Sequence, residues 1–202
     1  DGLLLGRSAG GAIVGGDKYA SLPGLVPDAF QYPCQMFAYA PLNPSIRAPW
    51  EILVNARGER FVQEDHPSVH HIERGVYQQP AHRHWAIFDA AMLERSEPII
   101  PKWTRERLAN EHQSHEMFHS AMSVEALALS TGLNPLALHR TVDDYNSRLQ
   151  EGREDAFGRK MRPAPLSTPP YYSIAMQGWT LVSFAGLKVS VDLQVLRKGG
   201  EA

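Results

Sequence analysis

The 202-residue sequence contains a single cysteine, Cys34. One cysteine excludes an internal disulfide framework and a zinc site built on cysteines. No apolar run approaches the roughly 18 residues of a membrane-spanning helix, so we expect no membrane span. The formal net charge is only −2, which gives no electrostatic reason to expect nucleic acid or an anionic membrane as a partner.

Three glycine-rich motifs of known chemistry are also missing from the sequence. There is no G-x-G-x-x-G after a strand, no G-x-x-x-x-G-K-[ST] and no G-x-S-x-G. The nearest run, Gly6–Gly11, has no strand before it and has the wrong spacing. We interpret its small residues as helix packing, and we predict no phosphate-binding loop and no nucleophile elbow within these residues.

The composition is that of a globular protein with many turns. Hydrophobic residues make up 43% and charged residues 21%, enough for a sizeable core. The sequence contains 16 glycines and 15 prolines. The length corresponds to about one and a third domains at roughly 150 residues each. We expect an α+β fold with short mixed strands and about four or five helices.

The clearest local signal is the segment Glu51–Glu64, which is typical of a strand, a turn and a returning strand. The turn contains Gly58 where a positive φ is needed. A helix is predicted over residues 68–78 and a buried strand over Trp85–Asp89. Residues 1–16 predict a small-residue helix that ends at Gly15-Gly16.

The second half of the chain has stronger helix signals. Ser123 is a candidate N-cap for a helix that Gly132 ends. Asn134-Pro135 begins a longer helix in which Leu138, Val142, Tyr145 and Leu149 form one apolar stripe. Tyr171–Gln177 and Leu181–Val191 are predicted as strands joined through Gly178.

Two constellations of ionisable residues are open to more than one interpretation. His115-Glu116-Met117-Phe118-His119 matches H-E-x-x-H, in which two histidines on one helix face bind zinc and the glutamate is a general base. The polar residues before it favour a solvated histidine cluster instead.

Residues 60–71 gather Glu64, His66 and His70 after the hairpin. In a cleft these groups would exchange protons, whereas the alternative is a charged surface loop.

Eight short motifs resemble, in the correct order, segments of one protein family. Leu53–Glu64 resembles the ILVN-x-x-G-x-RFV-x-E hairpin of the FAD-binding flavoproteins that include fumarate reductases, succinate dehydrogenases and 3-ketosteroid dehydrogenases. Residues after Glu64 and Gln78–Pro80 resemble the tricarballylate-dehydrogenase-like branch. The other seven motifs are Asp1–Leu3 with Ala9-Gly10, Ala86–Asp89, Ser123–Ala128, Thr141–Asn146, Asp155–Arg159, Pro169–Tyr172 and Ala185–Val189.

The resemblance implies that the chain is a fragment of a longer FAD-dependent dehydrogenase or reductase. Residues 19–162 correspond to the substrate-capping domain, and residues 1–18 and 163–202 to remnants of the FAD domain on either side. The phosphate-binding glycine loop would lie before residue 1, so we expect the isolated chain to be inactive and not to retain FAD. We expect a cytoplasmic protein. Any signal peptide of the full-length protein would lie before residue 1.

The resemblance also implies site residues. Glu64, His66, Ser68 and Arg47 are the capping-domain positions expected near a small carboxylate or carbonyl substrate, and Ser183, Ala185 and Gly186 are the positions expected to line the flavin. Arg47 matches a proton-relay arginine of the fumarate reductases. Their catalytic arginine, four residues after the RF-x-x-E motif, is replaced here by Ser68, which argues against fumarate reduction.

Two further interpretations stay open beside the flavoprotein one. The first is a zinc-dependent hydrolase that uses His115, Glu116 and His119; the second is a non-enzymatic binding module. The flavoprotein interpretation predicts no metal site. It also predicts that residues 1–16 and 179–191 expose apolar strips, which would normally pack on the missing FAD domain and favour a homodimer without it.

Overall fold

The computed structural model describes residues 2–200 and has an α+β fold, as predicted. Residues 1, 201 and 202, which belong to the predicted terminal segments, lie outside the described residues. In chain order the α-helices and strands are α1 (Gly2–Ser8), β1 (Ile13–Val14), β2 (Tyr19–Pro27), β3 (Met36–Tyr39), β4 (Ile52–Val54), α2 (Val69–Tyr77), β5 (Arg83–Asp89), α3 (Ala90–Arg95), α4 (Arg105–Ser114), β6 (Phe118–Ala121), α5 (Val124–Thr131), α6 (Pro135–Gln150), β7 (Tyr171–Ser183) and β8 (Gly186–Leu187), with a short 3-10 helix at Pro80–His82.

The chain divides into two compact units. One, the end unit, holds the residues up to Leu22 and those from Trp179 onward; the other, the central unit, holds Pro23–Gly178. Strands β2 and β7 each cross the boundary along the chain. The assignment of residues 1–18 and 163–202 to an FAD domain, and of residues 19–162 to a cap, stays a prediction.

A six-stranded sheet organises the central unit. Its strands lie in the order β3-β2-β7-β5-β4, and β6 also pairs with β7. Strands β5 and β7 are antiparallel along seven residue pairs, from Arg83 opposite Gln177 to Asp89 opposite Tyr171. Every residue of β4 is buried, and so are all residues of β5 after Arg83. The centre of the sheet is therefore a rigid support for the loops that follow β4.

The helix signals of the second half are confirmed. The Ser123 side chain accepts a hydrogen bond from the Ala126 N–H, and Gly132 ends α5 in the left-handed conformation, with φ of 74°. Asn134 caps α6 in the same way. The predicted stripe is buried at Leu138, Val142 and Tyr145 and half-buried at Leu149, so it packs against the core.

Several boundaries differ from the prediction. Helix α1 ends at Ser8 rather than at Gly15-Gly16, because Gly10 turns the chain with φ of 96°. Strand β7 continues through Gly178, where the neighbouring side chains Val76 and His82 leave no room for a Cβ. The predicted strand Leu181–Val191 is not continuous: β7 ends at Ser183, and only Gly186–Leu187 pair again.

Helix α4 was not predicted, because most of its residues are polar. Thr104 caps it by accepting a hydrogen bond from the Arg107 N–H, and only Leu108 and His112 are buried. The predicted return strand after Gly58 is reduced to one bridge between Val54 and Arg60. Among residues 2–200, no helix is both long and apolar enough to cross a membrane.

Candidate functional site

The turn after β4 is set by local hydrogen bonds. The Asn55 side-chain oxygen accepts hydrogen bonds from the N–H groups of Arg57 (2.9 Å) and Glu59 (3.2 Å). Gly58 has the positive φ, 81°, that the sequence predicts. This turn sends the chain back at Arg60, so the next few side chains lie against the core.

Arg60 is the centre of a buried ionic network. Its guanidinium donates to both carboxylate oxygens of Glu64 (2.9 and 2.6 Å) and to both of Asp155 (2.6 and 3.1 Å). The three side chains are 5%, 1% and 0% exposed. Burial alone would raise the pKa of Asp155, but the hydrogen bonds and the charge of Arg60 outweigh it and hold that pKa below its ordinary value.

Arg159 extends this network to the residues before β4. Its side chain is 0% exposed, lies 3.5 Å from the Glu64 carboxylate and donates to the backbone oxygens of Glu51 (2.6 Å) and Pro49 (2.8 Å). The Glu64 oxygens also accept the Leu53 N–H at 3.1 Å. Glu64, a predicted proton-handling residue, is thus fully occupied by arginines and backbone.

A second ion pair joins Arg47 to Glu51. The guanidinium donates to both Glu51 oxygens, and Glu51 also accepts the Trp50 N–H at 3.1 Å. The Glu51 side chain is 1% exposed and that of Arg47 is 17% exposed. Burial would raise the pKa of Glu51, but Arg47 and, more weakly, Arg159 lower it below the ordinary value, so Glu51 is ionised at neutral pH.

A cavity of about 480 Å³ lies beside Arg47. Its lining residues come from the loop before β4 and from the segment after α3, all within the central unit: Pro41, Ile46, Arg47, Ala48, Trp50, Ser96, Glu97, Pro98, Ile99 and Pro101. On the other side, Arg47, Glu51 and Glu64 border a gap too narrow for a water molecule. Of the four predicted capping-domain residues, Arg47 is the one that borders this cavity.

His66 and Ser68 lie together at the start of α2. His66 Nδ1 accepts the Ser68 N–H at 3.1 Å, and the His66 ring stacks on that of His71 with centroids 4.2 Å apart. Ser68 is the N-cap residue of α2, but its hydroxyl makes no capping hydrogen bond. Burial, followed by the charge of His66, lowers the pKa of His71. Their predicted roles at a substrate site stay a prediction.

The three predicted flavin-side residues lie in the end unit. The Ser183 hydroxyl accepts the Ala185 N–H at 3.1 Å, and a Cβ at Gly186 would meet nothing within 4 Å. The roles of Ser183, Ala185 and Gly186 beside a flavin stay a prediction. Apolar side chains are exposed in both predicted strips: Leu4, Leu5, Ile13 and Val14 in the first, and Leu181, Val182, Phe184, Val189 and Val191 in the second. Dimerisation through them stays a prediction.

The H-E-x-x-H segment does not form a metal-binding helix. Helix α4 ends at Ser114, His115 follows it as the cap residue, and His119 lies in β6. His115 Nδ1 accepts the Met117 N–H at 3.1 Å. The two histidines therefore do not share a helix face, and within residues 2–200 no group of three metal-ligating side chains is gathered. Nothing supports the hydrolase interpretation.

Two residues that matter to this arrangement were missed by sequence reasoning. Glu51, the partner of Arg47, follows it by four residues and directly precedes the apolar run of β4, a position where an unpaired charge would be costly. Arg159 is the last residue of the motif Asp155–Arg159, and the sequence predicts no role for it. Apart from the backbone oxygen of Met161, its side-chain partners Glu64, Glu51 and Pro49 are 95 or more residues away, so no local signal identifies them.

Comparison with known proteins gives a consistent result. The model of the FAD binding domain family matches residues 1–202. The "Probable fumarate reductase Ifc3" of Shewanella frigidimarina is 26% identical over 155 residues, which are 77% of this chain and 24% of that protein. The 3-oxosteroid 1-dehydrogenase of Mycobacterium tuberculosis is 24% identical over an alignment of 235 positions, covering 97% of this chain and 40% of that enzyme.

A solved structure shows the same fold. The 3-ketosteroid delta1-dehydrogenase of Sterolibacterium denitrificans superimposes with a TM-score of 0.73 at 20% identity, over 100% of this chain and 39% of that one. This chain thus spans between about a quarter and two fifths of the length of these relatives.

Proposed function

The chain belongs to the FAD binding domain family, and we propose that the full-length protein is an FAD-dependent dehydrogenase or reductase. It would transfer a hydride between the flavin and a small carboxylate or carbonyl substrate. The observation that carries this proposal is the family match over residues 1–202. Relatives named as a fumarate reductase and a 3-oxosteroid dehydrogenase support the same reaction class.

We propose that Ser183, Ala185 and Gly186 line one face of the flavin ring. Gly186 offers open space beside its backbone, with Ser183 and Ala185 next to it. The sequence supplies no phosphate-binding glycine loop. We therefore assign to the end unit a contact with the ring and not the whole of the dinucleotide site, so the 202 residues alone would be inactive.

When bound, FAD supplies the group that accepts or donates the hydride. Arg47 would bind the substrate oxygen and stabilise negative charge that develops on it. Glu51 holds the guanidinium in one orientation through two hydrogen bonds. Binding of this kind requires room for a ligand, and the cavity beside Arg47 provides it.

We propose His66 as the group that moves a proton, although it does not line the cavity beside Arg47. Because its Nδ1 accepts the Ser68 N–H, the neutral ring carries its proton on Nε2 and can donate it there. The Ser68 hydroxyl, which makes no capping hydrogen bond, would relay or position that proton. Glu64 would support this region structurally, since both its oxygens are engaged by Arg60.

The experiment is an anaerobic turnover assay on the full-length protein with Arg47→Lys. Lysine keeps a positive charge beside the buried Glu51 but loses the planar fork. Hydrogen bonds to charged groups contribute roughly 1.5–3 kcal/mol, so we expect turnover to fall by about tenfold or more. Because lysine cannot replace all four hydrogen bonds of Arg47, turnover is measured at a temperature at which circular dichroism shows the variant to be folded.

Arg57→Lys is the matched control, because Arg57 is 77% exposed and its ion pair with Glu59 lies at the surface. It should leave turnover unchanged. Normal turnover of Arg47→Lys would remove Arg47 from the site, and a full-length protein purified without flavin would contradict the proposed function itself.

A further inference from the structure

We propose that the cavity beside Arg47 binds an uncharged, largely apolar ligand that offers one acceptor oxygen, and that it disfavours carboxylates. The inference rests on the proposed function only in treating this ligand as the substrate, and it narrows the substrate class to carbonyl compounds. The apolar walls of the cavity, the charges around it and one free N–H of Arg47 support it.

The walls of the cavity are apolar and partly rigid. Trp50 and Ile99 are buried side chains, and three prolines, Pro41, Pro98 and Pro101, complete the lining with little conformational freedom. The Trp50 ring is held edge-on against Phe88, with centroids 5.0 Å apart. A volume of about 480 Å³ lies in the roughly 300–1,000 Å³ range of small-molecule sites. These walls suit a flat hydrocarbon ring.

The charges around the cavity do not favour an anion. Arg47 is neutralised by Glu51, a carboxylate in direct contact with it. The other charged residue of the lining is Glu97, which is exposed and negative. A ligand carboxylate would therefore lose its hydration without meeting an uncompensated positive charge, which costs free energy. A neutral ligand has no such cost.

The hydrogen-bond donors of Arg47 lead to the same conclusion. Its Nε donates to Pro41 O, and its Nη1 to Ala48 O and to Glu51. One N–H of Nη2 donates to the second oxygen of Glu51. Arginine has five N–H groups, so these contacts leave one for a ligand. A single donor suits one carbonyl oxygen, whereas a carboxylate is best bound by a fork of two.

Acetophenone and benzoate are a matched pair of probes, since both carry a phenyl ring and differ in the charge of the attached group. We would titrate each into the full-length protein and measure the Kd by ligand-observed NMR, without turnover. Acetophenone should bind at least about tenfold more tightly than benzoate, a difference of about 1.4 kcal/mol. Equal or tighter binding of benzoate, or no binding of acetophenone, would overturn the proposal.

Ala48→Trp locates the binding. Ala48 lines the cavity with an exposed side chain, so a large ring there fills the space without entering the core. Acetophenone binding should be lost in Ala48→Trp and kept in Ala126→Trp, a matched change at an exposed position of α5. Retained binding in Ala48→Trp would place the ligand elsewhere and refute the proposal.

Glu51→Gln tests the charge argument directly. The substitution keeps the shape of the side chain and leaves Arg47 uncompensated, so the preference should shift toward benzoate by about tenfold or more. An unchanged preference in the folded variant would refute the charge argument; if the variant does not fold, the wild-type pair and Ala48→Trp still decide. Binding without flavin turnover in the full-length protein would count against the proposed function and not against this site.

Discussion

Asp155→Asn should destabilise the protein far more than an ordinary surface change. The network around Arg60 contains two positive side chains, Arg60 and Arg159, and two negative ones, Glu64 and Asp155, and each is at most 5% exposed. Neutralising Asp155 leaves one uncompensated positive charge in this buried group. Loss of one partner from a buried ion pair costs about 3–5 kcal/mol.

The change should be visible as a drop in melting temperature. For a chain of this size each kcal/mol corresponds to about 2–4 °C, so we expect a decrease of about 6–20 °C by far-UV circular dichroism. Asp144→Asn is the control, because its ion pair with Arg148 is half exposed and such pairs contribute about 0.2–1 kcal/mol. A melting temperature of Asp155→Asn equal to that of the control would refute the role of the network.

The pH dependence has a definite sign. The pKa of Asp155 is lower in the folded protein than in the unfolded chain, since Arg60 outweighs the effect of burial. Its contribution to stability is therefore present above the ordinary aspartate pKa of about 3.9 and is lost as pH falls through the folded-state value. The difference between wild type and Asp155→Asn should stay constant near neutral pH and shrink in melts below about pH 4.

Two other outcomes follow from the sequence and the structure. Gly24→Ala should lower the melting temperature strongly, because a Cβ at Gly24 would lie 1.8 Å from the backbone oxygen of Ala40. The control is Gly16→Ala, since a Cβ at Gly16 meets nothing within 4 Å. Equal melting temperatures of the two variants would contradict the steric argument. The 202-residue chain purified alone should be colourless, because it contains no phosphate-binding glycine loop; a visible spectrum with about one equivalent of flavin would show that its own residues suffice.

Local signals in the sequence predicted those elements whose ends are set by nearby residues. Ser123 and Gly132 bound α5 by short-range hydrogen bonding and a positive φ, and Gly58 sets its turn in the same way. Helix α4 has almost no apolar periodicity, so no pattern could reveal it. At Gly178, where the sequence predicts a join between two strands, β7 is continuous, and the close neighbours Val76 and His82 are distant in sequence. Elements fixed by tertiary contacts were thus beyond local reasoning.

In the candidate site, too, local signals identify single residues, whereas tertiary contacts decide their surroundings. Arg47 was found through a resemblance, but its surroundings were not, because the cavity is formed by two segments about fifty residues apart in the chain, around Arg47 and around Ile99. The partner Glu51 had a usable signal in its spacing of four residues from Arg47. By contrast, the H-E-x-x-H pattern failed because the helix it requires ends one residue before His115. A motif predicts chemistry only when the secondary structure that it presupposes is present.

The motifs that carry the family resemblance largely describe how this chain folds. The two most distinctive ones, Arg60–Glu64 and Asp155–Arg159, bind each other through Arg60 with Asp155 and Arg159 with Glu64. Asp89, the end of another motif, caps α3 and accepts the N–H groups of Ser167 and Thr168. Side chains engaged in this way fix the architecture, and both carboxylate oxygens of Glu64 and of Asp89 already accept hydrogen bonds. We therefore expect substrate selection in this protein to depend on positions outside these motifs. Arg47, Trp50 and Ile99, which line the cavity beside Arg47, are the positions we propose, and the probe titrations with Ala48→Trp test whether a ligand binds among them.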